Sequence, residues 1–163
     1  MNQDVTMRGL FRRDGFTYIE LIIASLILAI LAAAIIPVAE VATKRAKEVE
    51  LRRNLRLLRD AIDNYKRAVD AGFIGGADVE LGSEGYPKTL DVLVEGVSKV
   101  GTVGQKLKFL RRIPIDPFTN STDWGLRSYQ DDPDSTFWGG QNVYDVYSKS
   151  NGTGLNGIKY RDW

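Results

Sequence analysis

The feature that most constrains this chain is an apolar run over residues 16–39, which contains a single charged side chain, Glu20. As a helix rising 1.5 Å per residue, the uncharged part at 21–39 would span about 28 Å, close to the roughly 30 Å of a bilayer's hydrocarbon core. Arginines precede the run at positions 8, 12 and 13. The sequence therefore predicts one membrane span. Because positive residues tend to stay on the cytoplasmic side, the chain that follows the run is expected outside the cytoplasm.

The composition excludes several kinds of site. The 163 residues include no His and no Cys, which rules out Ser-His-Asp and Cys-His catalysis, zinc sites of imidazole and thiolate, and disulfides. The formal net charge of +1 gives no overall attraction to nucleic acid, so we expect no nucleic-acid partner. Asp131, Asp132 and Asp134 flank a proline and are predicted to be solvated. We therefore expect the protein not to be an enzyme.

Three interpretations fit the apolar run. A removable signal peptide and an uncleaved signal anchor both account for its length and its arginine flank. Neither accounts for Glu20, because an ionised carboxylate within an apolar span costs a few kcal/mol and usually has a partner or a task. The third interpretation accounts for this carboxylate, and it rests on the residues that immediately precede the run.

Residues 15–20 read GFTYIE, and together with the apolar run they resemble the cleavage site of class III signal peptides, found in type IV pilins and in the pseudopilins of type II secretion. The resemblance implies that residues 1–15 are a leader, that a prepilin peptidase cuts after Gly15, and that the new terminus, Phe16, is methylated. It also implies that Glu20 pairs with the Phe16 amine of a neighbouring subunit. Such a pair offsets the cost of two charges in lipid and sets the register of adjacent helices.

After residue 39 the chain becomes amphipathic. Apolar residues recur at alternating steps of four and three, which is one stripe of a helix: Leu51, Leu55, Leu58, Ile62, Tyr65 and Val69. With Gly72 as the stop signal, one helix is predicted over residues 16–71, with a transmembrane or filament-core half at 16–39 and an amphipathic half at 40–71. Pro37 stands where the pilin-like family places a helix-breaking proline, and it should kink or locally open the helix one turn earlier.

The remaining residues, 72–163, are predicted to form a small head. Residues 90–94 read as a short helix with Thr89 as its candidate N-cap. Aromatic and β-branched residues bounded by turn signals indicate strands at 106–113, 127–130 and 143–149. Short strands so close in sequence imply one antiparallel sheet packed on the apolar stripe of the helix. The predicted fold class is therefore α+β and pilin-like.

Residues of the predicted head make the family resemblance more specific. Gly85-Tyr86-Pro87, the stretch IPIDPF at 113–118, and Tyr129 are similar to the head of the major pseudopilin of type II secretion, the G subunit. This implies a single-pass inner-membrane protein with a cytoplasmic N-terminus and a periplasmic head. It would polymerise with itself into a helical pseudopilus that drives protein export, with minor pseudopilins and an inner-membrane assembly platform as partners. Two alternatives stay open: a type IV pilin subunit of a surface fibre, and a membrane-anchored periplasmic binding module that never polymerises.

The C-terminal segment, residues 145–157 followed by Asp162, resembles the G-subunit loop that holds calcium. The implied ligands are Asn151, Leu155, Asn156 and Asp162, and Ca²⁺ would be the protein's one cofactor. Ca²⁺ takes six to eight oxygen ligands, and Asn151 stands where the family usually has Asp. A metal-free loop closed by Asn- and Gly-rich turns is an equal alternative.

Charge is distributed unevenly along the chain. Residues 44–67 hold nine Lys and Arg against four Asp and Glu, whereas residues 114–163 hold seven Asp against four Lys and Arg. The basic residues are typical of a solvated helix face. Opposite charges on one subunit would also favour contacts between neighbouring subunits in a stack.

Overall fold

The computed structural model describes residues 15–76, 79–102 and 104–163. It confirms an α+β fold with one long N-terminal helix and short antiparallel strands. All of the predicted leader except Gly15 lies outside the described residues. The elements, in chain order, are α1 (Tyr18–Asp70), α2 (Leu90–Glu95), β1 (Val97–Ser98), β2 (Lys106–Leu107), β3 (Gly125–Arg127), β4 (Asp145–Tyr147) and a 3₁₀ turn at Tyr160–Asp162.

Helix α1 is 53 residues long; it begins two residues later and ends one residue earlier than predicted, and Gly72 is the stop signal as expected. Gly72 has a φ of 72°, and its N–H bonds to the carbonyl of Val69 at 2.9 Å while the N–H of Phe73 bonds to the carbonyl of Ala68 at 2.9 Å. This pair of bonds is the Schellman motif, which favours glycine because of the positive φ. The helix continues through Pro37 without interruption, so the predicted opening does not break it.

The chain divides into two compact units, Met1–Val41 and Ala42–Trp163, with the boundary inside α1. The hydrophobic core lies in the second unit. The predicted stripe supplies its helical side, since Leu51, Leu55, Leu58 and Ile62 are all at most 2% exposed. The chain after α1 supplies the other side, with these buried apolar residues: Ile74, Leu90, Leu93, Val97, Leu110, Trp124, Val143, Val146 and Tyr160.

The strands form two separate ladders, so the prediction of one sheet is wrong. Strand β1 pairs with β2, and β3 pairs with β4; both pairs are antiparallel. Between the two ladders the chain passes Pro114 and Pro117, which have no N–H to donate to a sheet. Strands of two or three residues make few ladder bonds, and each ladder is held by packing on the common core. Strand β1 was not predicted.

Helix α2 is confirmed and one residue longer than predicted. Thr89 has the extended conformation of an N-cap, but its side chain makes no capping hydrogen bond, so its predicted capping role is wrong. Burial of Leu90 and Leu93 holds this short helix on the core instead, since a helix of six residues has little stability of its own.

Candidate functional site

The N-terminal half of α1 presents apolar surface throughout. Within the part of the first unit that the structure describes, the large apolar side chains from Phe16 to Val41 are 46% to 81% exposed. A helix that is apolar on all sides belongs in a membrane or in a bundle of helices. Among the described residues, α1 is the one helix long and apolar enough to cross a membrane. The exposed large apolar side chains of the first unit are Phe16, Tyr18, Ile19, Leu21, Ile22, Ile23, Leu26, Ile27, Leu28, Ile30, Leu31, Ile35, Ile36, Val38 and Val41.

Glu20 lies in the first turn of this helix and is exposed. Its N–H is 3.3 Å from the Thr17 hydroxyl and 3.1 Å from the Thr17 carbonyl. Thr17 is thus the N-cap, and Glu20 occupies the third helical position, as in a capping box. A carboxylate is favoured there by the helix dipole. This local role was not predicted, although the T-x-x-E spacing signals it.

Gly15 is free of packing constraints in the described structure. A Cβ added at this position would meet nothing within 4 Å, and no positive φ requires glycine. Phe16, which follows it, is 77% exposed. The fold therefore gives no reason for glycine at position 15, whereas a protease that must approach the backbone closely would give one. Cleavage and methylation here stay predictions.

The predicted calcium residues lie in a C-terminal loop that is closed by its own hydrogen bonds. The Asn156 side-chain oxygen accepts the N–H of Ile158 at 3.1 Å. The N–H of Gly154 bonds to the carbonyl of Ile158 at 2.8 Å. A Cβ at Gly154 would lie 2.5 Å from the Trp163 ring, so the close approach of loop and ring requires glycine here.

The four predicted ligands supply one carboxylate between them. Asn151, Leu155 and Asp162 are exposed, and Asp162 lies 3.6 Å from the Arg161 guanidinium. The Leu155 N–H donates to the Glu48 carboxylate; the carbonyl oxygen of Leu155 is the atom that a calcium ion would contact. The described residues contain no group of three or more carboxylates suited to a metal. Calcium binding by this loop stays a prediction.

The Glu48 carboxylate accepts hydrogen bonds from the C-terminal loop. It lies on α1, is 8% exposed, and its Oε1 accepts the Leu155 N–H at 2.7 Å and the Tyr160 hydroxyl at 3.1 Å. Burial, followed by the hydrogen bond to this carboxylate, raises the pKa of Tyr160 to about 12. Sequence reasoning missed Glu48. Its position three residues before Leu51 continues the rhythm of the core stripe, and that was the available signal.

The predicted IPIDPF motif forms a buried turn. Asp116 is 1% exposed; one carboxylate oxygen accepts the Ser148 hydroxyl at 2.5 Å and the other accepts the N–H of Phe118 at 2.8 Å. The indole N–H of Trp124 bonds to the carbonyl of Pro114 at 2.9 Å. Every oxygen of the carboxylate is thus engaged, and the motif fixes the turn in front of β3.

Comparisons with known proteins give no relative for this chain. No protein-family model, no curated protein and no solved structure matches it. The family resemblance therefore depends on the residues themselves, above all on Gly15, Phe16 and Glu20.

Proposed function

We propose that this chain is a structural subunit of a type II secretion pseudopilus, which polymerises through its N-terminal helix to drive protein export. One observation carries the proposal. A helical segment with apolar side chains exposed on all sides begins three residues after a glycine that the fold does not need, and it carries a carboxylate in its first turn.

The apolar surface supports a protein that is stored in a membrane and then transferred into a bundle. Exposure of so many leucine and isoleucine side chains to water is energetically unfavourable. In lipid they are buried, and a bundle of identical helices would bury them equally well. The exchange of one environment for the other then costs little, and other subunits would supply the work of extraction.

Glu20 would provide the specificity of assembly. Cleavage after Gly15 creates a positive amine on Phe16, four residues before the carboxylate. Within one helix the capping geometry engages the backbone of Glu20 through Thr17. The carboxylate itself makes no contact with a cation among the described residues, so it is available to the amine of a neighbouring subunit. The pairing would fix the axial register of adjacent helices.

A plain membrane anchor needs no carboxylate, and this difference defines the test. Glu20→Gln removes the charge but keeps a residue that suits the capping box. Glu40→Gln is the matched control, since it removes one exposed carboxylate from the same helix. We expect both variants to insert in the membrane, and only Glu20→Gln to lose assembly and export by about tenfold or more, the scale of a lost desolvated ion pair.

Assembly is measured by chemical crosslinking of the full-length protein in its own membranes, and export by the amount of cargo outside the cell. Normal assembly of Glu20→Gln would contradict the proposal and favour an anchored binding module. Loss of long surface fibres with unchanged export would instead favour a type IV pilin.

A further inference from the structure

A groove of about 320 Å³ lies on the second unit between α1 and the C-terminal residues. Its walls combine cationic and apolar side chains. Among the described residues that line it, Asp162 has the one acidic side chain, and this group lies beside Arg161. The residues that matter below are Arg52, Arg56, Arg59, Leu55, Ile158 and Trp163.

The three arginines of the groove differ in the contacts that their guanidinium groups make. Arg59 is bound: its Nε lies 2.7 Å from Asp145 and its Nη2 donates to the Trp163 carbonyl at 2.9 Å. Arg52 lies 4.3 Å above the Trp163 ring. Arg56 is exposed and has no side-chain partner among the described residues. The indole N–H of Trp163 is buried without an acceptor there. The exposed Arg56 guanidinium is therefore available to an anionic ligand.

An ordered acidic loop lies elsewhere on the same unit. It connects β3 to β4, and its residues 128–144 contain three Asp and no Lys or Arg. Asp131 closes the loop by accepting the N–H groups of Ser128 at 2.7 Å and Gly139 at 3.0 Å, and these bonds lower the pKa of its carboxyl. Its exposed side chains include Asp132, Asp134 and the 79% exposed Phe137.

Further bonds hold the loop in one shape. Ser135 donates its hydroxyl to the Phe137 carbonyl at 2.7 Å, and its own carbonyl accepts from Arg127 at 2.9 Å. The Tyr147 hydroxyl donates to the Thr136 carbonyl. A loop that is already ordered loses little entropy on binding. It therefore presents two carboxylates and an aromatic ring as a ready-made ligand.

We propose that the acidic loop of one copy of this chain enters the arginine groove of the next copy. Asp132 and Asp134 would meet the cationic side of the groove at Arg52 and Arg56. Phe137 would pack on its apolar side, at Leu55 and Ile158. The charges are complementary and both surfaces are preformed, so a second copy supplies the ligand that the groove favours.

Because the loop and the groove are different patches, the contact is heterologous and can repeat head to tail. The inference rests on the proposed function, in which copies of this chain are neighbours in a filament. It adds a specific contact between second units to the contact between apolar helices.

The natural absence of Cys makes a crosslinking test direct. Arg56→Cys combined with Asp134→Cys places one thiol on each surface of the full-length protein, and a short bismaleimide joins thiols that come together. Arg56→Cys combined with Leu81→Cys is the control, since Leu81 is fully exposed and lies outside the loop. We expect a ladder of dimers, trimers and longer products from the first pair, with about tenfold less from the control.

The charges are tested by reversal. Arg56→Asp should reduce assembly of the second units, and Arg56→Asp with Asp134→Arg should restore it, with a stronger effect at low salt. Absence of a ladder, dimers only, or failure of the double reversal would overturn the proposed contact.

The two proposals fail separately, because the same sample is analysed by mass. A chain that begins at methylated Phe16 but forms no ladder would overturn the head contact and leave the proposed function standing. A ladder from an uncut chain would support the contact and contradict the proposed function.

Discussion

Glu48 and Tyr160 meet at the point where the C-terminal loop touches α1. The phenol is 2% exposed and stacks on Phe118, with 4.0 Å between ring centroids. Its hydroxyl donates to the Glu48 carboxylate, which also holds the Leu155 N–H. One side chain of the helix thus fixes two points of a loop that has little regular structure of its own.

Replacement of Tyr160 by Phe should remove one of these points while keeping the ring stack. We expect the free energy of unfolding to fall by about 1–3 kcal/mol at neutral pH, the value of a hydrogen bond to a charged group. The pKa of Tyr160 is raised to about 12 in the folded protein, above the roughly 10 of an unperturbed tyrosine. The stabilisation of the folded protein by the Tyr160 hydroxyl is therefore complete below pH 10 and is lost as pH rises toward 12.

Denaturant unfolding of both proteins between pH 7 and pH 12, read by circular dichroism, checks this prediction. The difference in stability between the natural protein and the variant should shrink over the alkaline part of the range. A difference that stays constant with pH would mean that the Tyr160 hydroxyl does not act through its bond to Glu48.

At the scale of elements, α1 offers two adjacent leucines with different surroundings. Leu58 is fully buried in the core and Leu57 is 39% exposed. Leu58→Ala should lower the free energy of unfolding by about 2–5 kcal/mol, because it removes buried methyl groups and leaves a cavity. Leu57→Ala is the matched control, with an expected loss below about 1 kcal/mol. Equal losses, measured by denaturant unfolding, would contradict the assignment of the core stripe.

The C-terminal loop gives a second prediction at this scale. Glu48 and the Asn156 turn close the loop without a cation, so we expect the melting temperature to be the same in calcium and in a chelator. A cation that bound only the folded protein would raise it with concentration. A calcium-dependent rise that Asp162→Asn abolishes would establish the calcium site implied by the family resemblance.

The elements also show which features of the fold could be predicted from the sequence. The core stripe and the stop at Gly72 follow from local signals, the 3.6-residue period and the need for a positive φ, and both were predicted. The pairing of the strands depends on packing between distant segments; the strands were expected in one sheet, but they occur in two ladders. Glu48 was missed for the same reason, since its partners lie 107 and 112 residues away.

For the whole molecule, the division into two units matches a division of tasks. The second unit contains the buried core together with the arginine groove and the acidic loop. The described residues of the first unit have exposed apolar side chains and contribute none to the buried core, which favours a covering of lipid or of other helices. The net charge of the chain is small, although the groove of the second unit is lined by three arginines and its acidic loop carries three aspartates.

The central claim is that the chain is processed and assembled as a pseudopilin, and the intact mass of the protein from its own membranes, with its N-terminal sequence, tests it most directly. We predict a chain that begins at Phe16 and carries one added methyl group. A chain that begins after the apolar run would indicate ordinary secretion, and an uncut chain would indicate a plain anchor. Either of these two results would contradict the account.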